Sequence, residues 1–300
     1  MCLESLRLVQ VPTDVVKAEQ TLRNIVETFA DATPEYWQYT IGRAQLVYHA
    51  LERRGVTDGI NIYHPIYGLT FSGRSKTSGF NIQGTTENDI VRHVDHTFNT
   101  FICLDWIAAD MRVAGLLSGD QRLNESFADS DPYTYMVKTL DDPQVTRDMC
   151  KRELISSLYA LAPNNPMLDF YDGLKSWMEA QKAFIEQHEY AESLFGRRFH
   201  ITKNRTVRSV FNAIVQGSVA HAMQMVIARL YESMGDYVLT EIHDSVILAC
   251  EQDRATEIVN RAVDIMSHPL QGAIEEDPVF PLRVSVGLDW RRWQPYKVYR

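Results

Sequence analysis

Between Tyr237 and Glu251 the chain reads YVLTEIHDSVILACE, two β-prone apolar runs around a polar pair, His243-Asp244, with no Gly or Pro to force a loop. That pattern predicts a tight hairpin with a carboxylate at its tip. A second apolar run, Phe101-Ile-Cys-Leu-Asp105, also ends in a carboxylate. Helix-like spacing follows over 106–117 until Ser118-Gly119-Asp120 stops it, so Asp105 falls where a buried strand gives way to a helix. Helical patterns also occupy 13–31, 34–54 (ending in Arg53-Arg54-Gly55), 143–162, 167–190, 205–232 and 252–268. Residues 60–84 alternate like strands, and 88–100 form a polar connector in which His93 and His96 are expected to be solvated. The sum is an α+β chain built on an antiparallel sheet.

Two helical stripes break the usual apolar rule. Arg147, Lys151, Ile155 and Tyr159 recur every fourth residue, as do Arg208, Asn212 and Gln216. Each stripe is either a solvated face or a row of ligand contacts. Likewise, an acid at a hairpin tip either caps a turn or holds a cation. Two carboxylates on neighbouring strands, however, make the oxygen platform that Mg²⁺-dependent phosphoryl transfer requires.

With 45% hydrophobic and 23% charged residues, the composition is that of a soluble globular protein. The first eleven residues are too short and polar for a signal peptide, and no run approaches a membrane span. Cys2, Cys103, Cys150 and Cys250 are dispersed without metal-type spacing, which suits buried thiols in a reducing cytoplasm. The formal charge of −9 argues against indiscriminate nucleic-acid binding. Basic residues nonetheless gather at Arg147/Lys151/Arg152, through GRRFHITKNRTVR (196–208), and at Arg291/Arg292/Lys297/Arg300.

Several segments together bring a family into view. FICLDWIAADMRVAGLLSGDQRLNESF resembles motif A, and IHDSV motif C, of family A (bacterial DNA polymerase I-like) DNA polymerases. The stripe from Arg147 to Tyr159 resembles motif B, with Ile155 and Ala160 where the family has an aromatic and a Gly. SGRSKTSGFNIQ is similar to the family's TGRLSS…NLQN segment, LFGRR to its GRRR turn, NAIVQGSVAHAM to its NAPIQGTAADII, and LRVSVGLDW to its closing strand. These matches run from about Tyr63 to Trp290.

The resemblance implies a right-hand fold with a palm on the antiparallel sheet, reduced fingers and a minimal thumb. Residues 1–60 would be the thumb remnant, 61–140 and 205–300 the palm, and 141–204 the fingers. It implies template-directed transfer of dNTPs to a primer 3′-OH, with two Mg²⁺ ions on Asp105 and Asp244 and the backbone neighbours of Asp105, Trp106 in particular, shaping the ground beneath the triphosphate. Arg147 and Lys151 would meet the triphosphate, Lys151 also assisting pyrophosphate departure. Ile155 and Tyr159 would lie against the nucleotide and templating base, and Asp110 would close the 2′ position of the sugar. Arg74, Asn81, Gln83, Arg208, Asn212, Gln216 and His243 would contact primer–template DNA, with Gly217 and Ser218 allowing close approach. Ser245 stands where the family usually has Glu, and His221 where it has Asp.

No upstream exonuclease domain is expected. The short thumb implies a processivity or exonuclease partner protein, or self-assembly, and a cytoplasmic, nucleoid- or replisome-associated setting. Compactness suggests a phage or mobile-element origin. A single-subunit RNA polymerase and a catalytically silent nucleic-acid-binding replisome subunit are the alternatives. The SGD of motif A, Asp110 and the QGS segment favour DNA over RNA, and the presence of Asp105, Asp244 and Lys151 argues against a silent subunit.

Overall fold

The computed structural model describes residues 35–85, 91–274, 277–288, 290 and 293–299. The helix expected over 13–31 and the basic residues Arg291, Arg292 and Arg300 lie outside them. The chain packs as two compact units, one from the N-terminal part through Trp106 plus 220–299, the other 107–219. The boundaries expected at 140/141 and 204/205 both fall inside the second unit.

The first unit opens with helix α1 (Glu35–Arg54). Two short antiparallel pairs follow: β1 (Val56–Thr57) with β2 (Ile62–Tyr63), and β3 (Pro65–Leu69) with β4 (Ser75–Gly79). The main sheet has five antiparallel strands: β5 (Thr100–Trp106), β8 (Val238–Ile242), β9 (Ser245–Cys250), β10 (Leu282–Gly287) and β11 (Gln294–Tyr299). Their order is β11-β10-β5-β9-β8. Strand periodicity divides β5 between two environments. Ile102, Leu104 and Trp106 are buried on one face, and the strand packs on helix α8 (Ala255–Ser267). On the other face Phe101 joins a cluster with Val56, Ile82, Leu239, Ile247, Ala249 and Trp290, and Cys103 packs against it. Asp105 continues that second row at the strand's end, where apolar cover gives out.

The second unit is mainly helical: α2 (Ala109–Ser118), α3 (Gln121–Asp129), α4 (Pro132–Leu140), α5 (Arg147–Ala160) and α6 (Asp172–His188), with hairpin β6 (Tyr190–Glu192)–β7 (Arg198–His200). The ends are written in the sequence. Asp120, Asp131 and Thr146 accept backbone N–H groups at the starts of α3, α4 and α5. Pro132 occupies the first turn of α4, and Gly119 closes α2 at φ 64°.

Helix α7 (Val207–Met234) begins in the second unit and ends in the first. By length and composition 207–237 could cross a membrane, which corrects the expectation that no run approaches a span. Most of it is buried within the protein, so it is apolar because it is a core helix. Its polar stripe is the exception, with Arg208 exposed and Asn212 and Gln216 half-buried.

Candidate active site

The hairpin predicted from the alternation is present. Ile242 pairs with Ser245, leaving His243 and Asp244 as the two-residue turn of β8–β9. His243 takes φ 58°, a left-handed conformation that costs an L-residue roughly 1–2 kcal/mol. On β5, Asp105 pairs with Ser245 on one side and Arg283 of β10 on the other. The next step of the ladder is a bond from the Trp106 amide to the Asp244 carbonyl, 3.1 Å. Backbone pairing therefore brings Asp105 and Asp244 together at one end of the sheet.

The electrostatics fit that closeness. The Cys103 thiol, next along the same face, is pushed up to about 12 by burial first and then by the charges of Asp105 and Asp244. The Arg283 guanidinium lies 3.8 Å from Asp105, both side chains being partly exposed. Among the described residues no group of three or more His, Cys, Asp or Glu could hold a metal ion. Asp105 and Asp244 themselves offer hard carboxylate oxygens. That suits Mg²⁺, which keeps coordination positions for water and phosphate oxygens, better than an ion needing an all-protein cage.

Trp106 turns its side chain away from the two acids. Its indole is buried, donates to the Met266 carbonyl at 2.9 Å, and packs against Phe280 with ring centroids 5.3 Å apart. The residue anchors the end of β5 on α8 and offers the site only backbone.

Beside β8 lies a polar network that sequence reading missed. Glu241 is buried and accepts hydrogen bonds from Ser75 Oγ at 2.6 Å and from the Tyr48 hydroxyl. Burial raises its carboxyl above the ordinary range, against the effect of those two hydrogen bonds. Gln83 Nε2 donates to Ser75 Oγ at 2.7 Å and to the Glu241 carbonyl at 3.2 Å. Gln83 is therefore tied to the strand leading into the turn. Asn81 is exposed, its Oδ1 accepting from Thr77 at 3.0 Å, and Arg74 is half-buried. The turn before Arg74 has Gly73 at φ 94°, and the Gly73 carbonyl accepts from Gln224 at 2.8 Å.

His93 also departs from expectation. It is buried rather than solvated, its Nδ1 accepting from the Asp95 amide at 2.9 Å. Burial, then the nearby Arg54 charge, lowers it to about 4.

In the second unit, the Arg147–Tyr159 stripe lies on α5 as predicted, with Lys151 exposed and Ile155 and Tyr159 half-buried. Arg147 is already engaged: its Nε donates to Asp131 at 3.1 Å and its guanidinium stacks 5.4 Å from the Tyr133 ring centre. Burial would raise the Asp131 carboxyl, but hydrogen bonds from Thr134 and Arg147 hold it below its usual value. The Tyr133 phenol is raised by burial and then by the charges of Asp110 and Asp131. Asp110, Tyr133, Asp131 and Arg147 thus form one electrostatic group, of which the sequence disclosed only the first and last. Ser218 is buried, its hydroxyl donating to the Ile214 carbonyl at 2.7 Å and accepting from the Leu194 amide at 2.8 Å. Its hydroxyl ties helix α7 to the segment before the GRR turn.

Comparison with known proteins follows the same lines. The family model described as "DNA polymerase family A" matches residues 165–294, a span that includes Asp244 but neither Asp105 nor Lys151. The thermostable DNA polymerase I of Thermus thermophilus is 28% identical over 230 residues, covering 63% of this chain and 27% of that polymerase. The Thermus caldophilus enzyme is 23% identical over 333 residues, covering 96% of this chain and 37% of that protein. The chain therefore spans well under half the length of these relatives.

The solved POL domain of Pol1 from M. smegmatis, in complex with DNA primer-template and dNTP, superposes with a TM-score of 0.66. It is 18% identical and covers 91% of this chain and 56% of that one. The fold is that of a polymerase domain. The family that the matched model describes, family A of the DNA polymerases, is the one this chain resembles.

Proposed function

We propose that this chain is a template-directed DNA polymerase that transfers nucleotides from dNTPs to a primer 3′-hydroxyl. The observation that carries the reading is the Trp106–Asp244 backbone bond, which fixes Asp105 and Asp244 side by side at the end of the sheet. The names of the relatives point the same way.

In this reading the sheet is the palm, 141–204 reduced fingers and 1–60 a minimal thumb. Asp105 and Asp244 hold two Mg²⁺ ions. Such ions, when bound, lower the pKa of a coordinated hydroxyl and offset charge developing on pyrophosphate. The protein's own part is positioning and neutralisation. Asp131 fixes the Arg147 guanidinium before substrate arrives, while the exposed Lys151 ammonium is available to phosphate oxygens. Tyr159 and Ile155 lie against the base, and Asp110 closes the 2′ position. Arg74, Asn81 and Gln83 take the minor groove, while Arg208, Asn212, Gln216 and His243 take template and primer.

The test is primer extension by the whole chain with Mg²⁺, first with dNTPs and then with rNTPs. Template-dependent extension with dNTPs, slower with rNTPs, is expected. Failure with dNTPs would overturn the reading, and equal use of rNTPs would turn it toward an RNA polymerase.

A further inference from the structure

The basic segment 196–208 is absorbed only in part by the site above. In the β6–β7 hairpin, Tyr190 pairs with His200 and Glu192 with Arg198, while Ala191 and Phe199 are buried on the opposite face. The outward face carries a run of rings that continues onto the last turn of α6. Tyr190 and His200 lie 5.7 Å apart, Phe184 meets Tyr190 edge-on at 5.3 Å, and His188 lies 4.4 Å from Phe184. Above Tyr190, at 4.8 Å, sits the Arg198 guanidinium, which Glu192 holds in place at 2.6 Å. Phe184, His188, Arg198 and His200 are exposed and Tyr190 half-buried.

An exposed row of rings usually awaits a partner, and its surroundings say which kind. Over 184–208 there are five Arg or Lys residues and three acidic residues, a local positive excess in a chain whose formal charge is −9. Rings offer every base a π-face irrespective of sequence, and interleaved cations meet the phosphates between them. Protein interfaces also use rings and Arg, so the local excess of positive charge is what favours a nucleic acid.

We infer that the outer face of the β6–β7 hairpin, with Phe184 and His188 of α6, is a stacking platform for unpaired bases of single-stranded DNA. Which strand it takes, the unpaired stretch of template, rests on the polymerase reading; the binding itself does not.

The experiment is fluorescence anisotropy of the whole chain with a labelled oligo-dT of about 12 nucleotides, without primer or dNTP, beside a blunt duplex. Replacing Phe184 and Tyr190 together by Ala should weaken oligo-dT binding about tenfold or more, while Tyr190→Phe binds as wild type and duplex affinity stays within about twofold. Unchanged oligo-dT affinity in the double variant would overturn the inference, as would an equal loss for duplex, which would mark a general charge effect. Tyr190→Trp keeps a ring in place should the double variant not fold. Oligo-dT should quench its added indole fluorescence relative to wild type, and no extra quenching would also overturn the inference. Ring-dependent binding in a chain that extends no primer would leave this site standing and remove the polymerase reading.

Discussion

The Trp106 amide donates to the Asp244 carbonyl at 3.1 Å, one step beyond the last pair of the β5–β9 ladder, Asp105 with Ser245. The ladder thus extends into the turn between β8 and β9. Both acids are placed by backbone. The same bond helps hold His243 at φ 58°, since a two-residue turn anchored on both sides has little freedom to relax. Strain of roughly 1–3 kcal/mol is tolerated where surrounding structure over-determines it. Here the main sheet, anchored by the buried Trp106 indole, supplies that constraint.

Because backbone places the two acids, removing either carboxylate should spare the fold. Asp105→Ala and Asp244→Ala are each expected to lower primer extension by about a hundredfold or more while the melting temperature stays near wild type. Extension rates and thermal melts of the same preparations check this. Substantial Mg²⁺-dependent synthesis by either variant would remove the acid from the site.

Glu241 should reveal itself through pH. Its folded pKa is raised by burial, so the folded state holds a proton that the unfolded chain has released. The stabilisation is complete below the unfolded value of about 4.3 and is lost as pH rises through the folded value. Glu241→Gln keeps the hydrogen-bonding shape without the charge, so it should gain on wild type as pH rises above about 4.3. Glu241→Leu would strand the Tyr48 and Ser75 hydroxyls and should cost about 2 kcal/mol or more at low pH, the difference from wild type narrowing as pH rises. Melts from pH 4 to 8 decide, and parallel curves for wild type and Glu241→Gln would mean Glu241 does not titrate with folding.

His93 carries the opposite sign. Burial and the Arg54 charge lower it to about 4, so below about pH 6.5 the unfolded chain takes up a proton that the folded chain refuses. Its stabilisation is present above about 6.5 and lost as pH falls toward about 4, up to about 3 kcal/mol in all. His93→Gln should flatten that acid limb. An unchanged limb would assign the loss to carboxylates such as Asp95, whose hydrogen bonds with Thr97 hold it below its ordinary value.

Local pattern made the β8–β9 hairpin, α5 and α7 legible, because a period of 2 or 3.6 reports which residues share a face. Period does not report what stands opposite. Arg283 faces Asp105 from a strand far along the chain, and Glu241 lies in a β-prone run that reads as apolar until Tyr48 and Ser75 are found against it. Asp131 binds Arg147 across sixteen residues and an intervening helix. His93 misled because a polar neighbourhood in sequence is no guide to the packing of the side chain. Pairing between distant segments was the missing information.

Asp110 offers the sharpest test of the second unit. It lies in the first turn of α2, near enough to Tyr133 for its charge to raise the phenol. Tyr133 therefore stays a neutral ring at working pH, with Arg147 stacked on it. An acid held beside such a ring can exclude a 2′-hydroxyl by bulk. Asp is one methylene shorter than Glu, so exclusion should be partial in the wild type. Asp110→Ala should raise the preference for rNTP over dNTP roughly tenfold, with little change in dNTP extension itself. Asp110→Glu should move selectivity the other way. Competition between dNTP and rNTP at one template position gives both ratios directly. If Asp110→Ala and Asp110→Glu shift selectivity in the same direction, the residue acts by holding Tyr133 and Arg147 in place rather than by occupying the 2′ position.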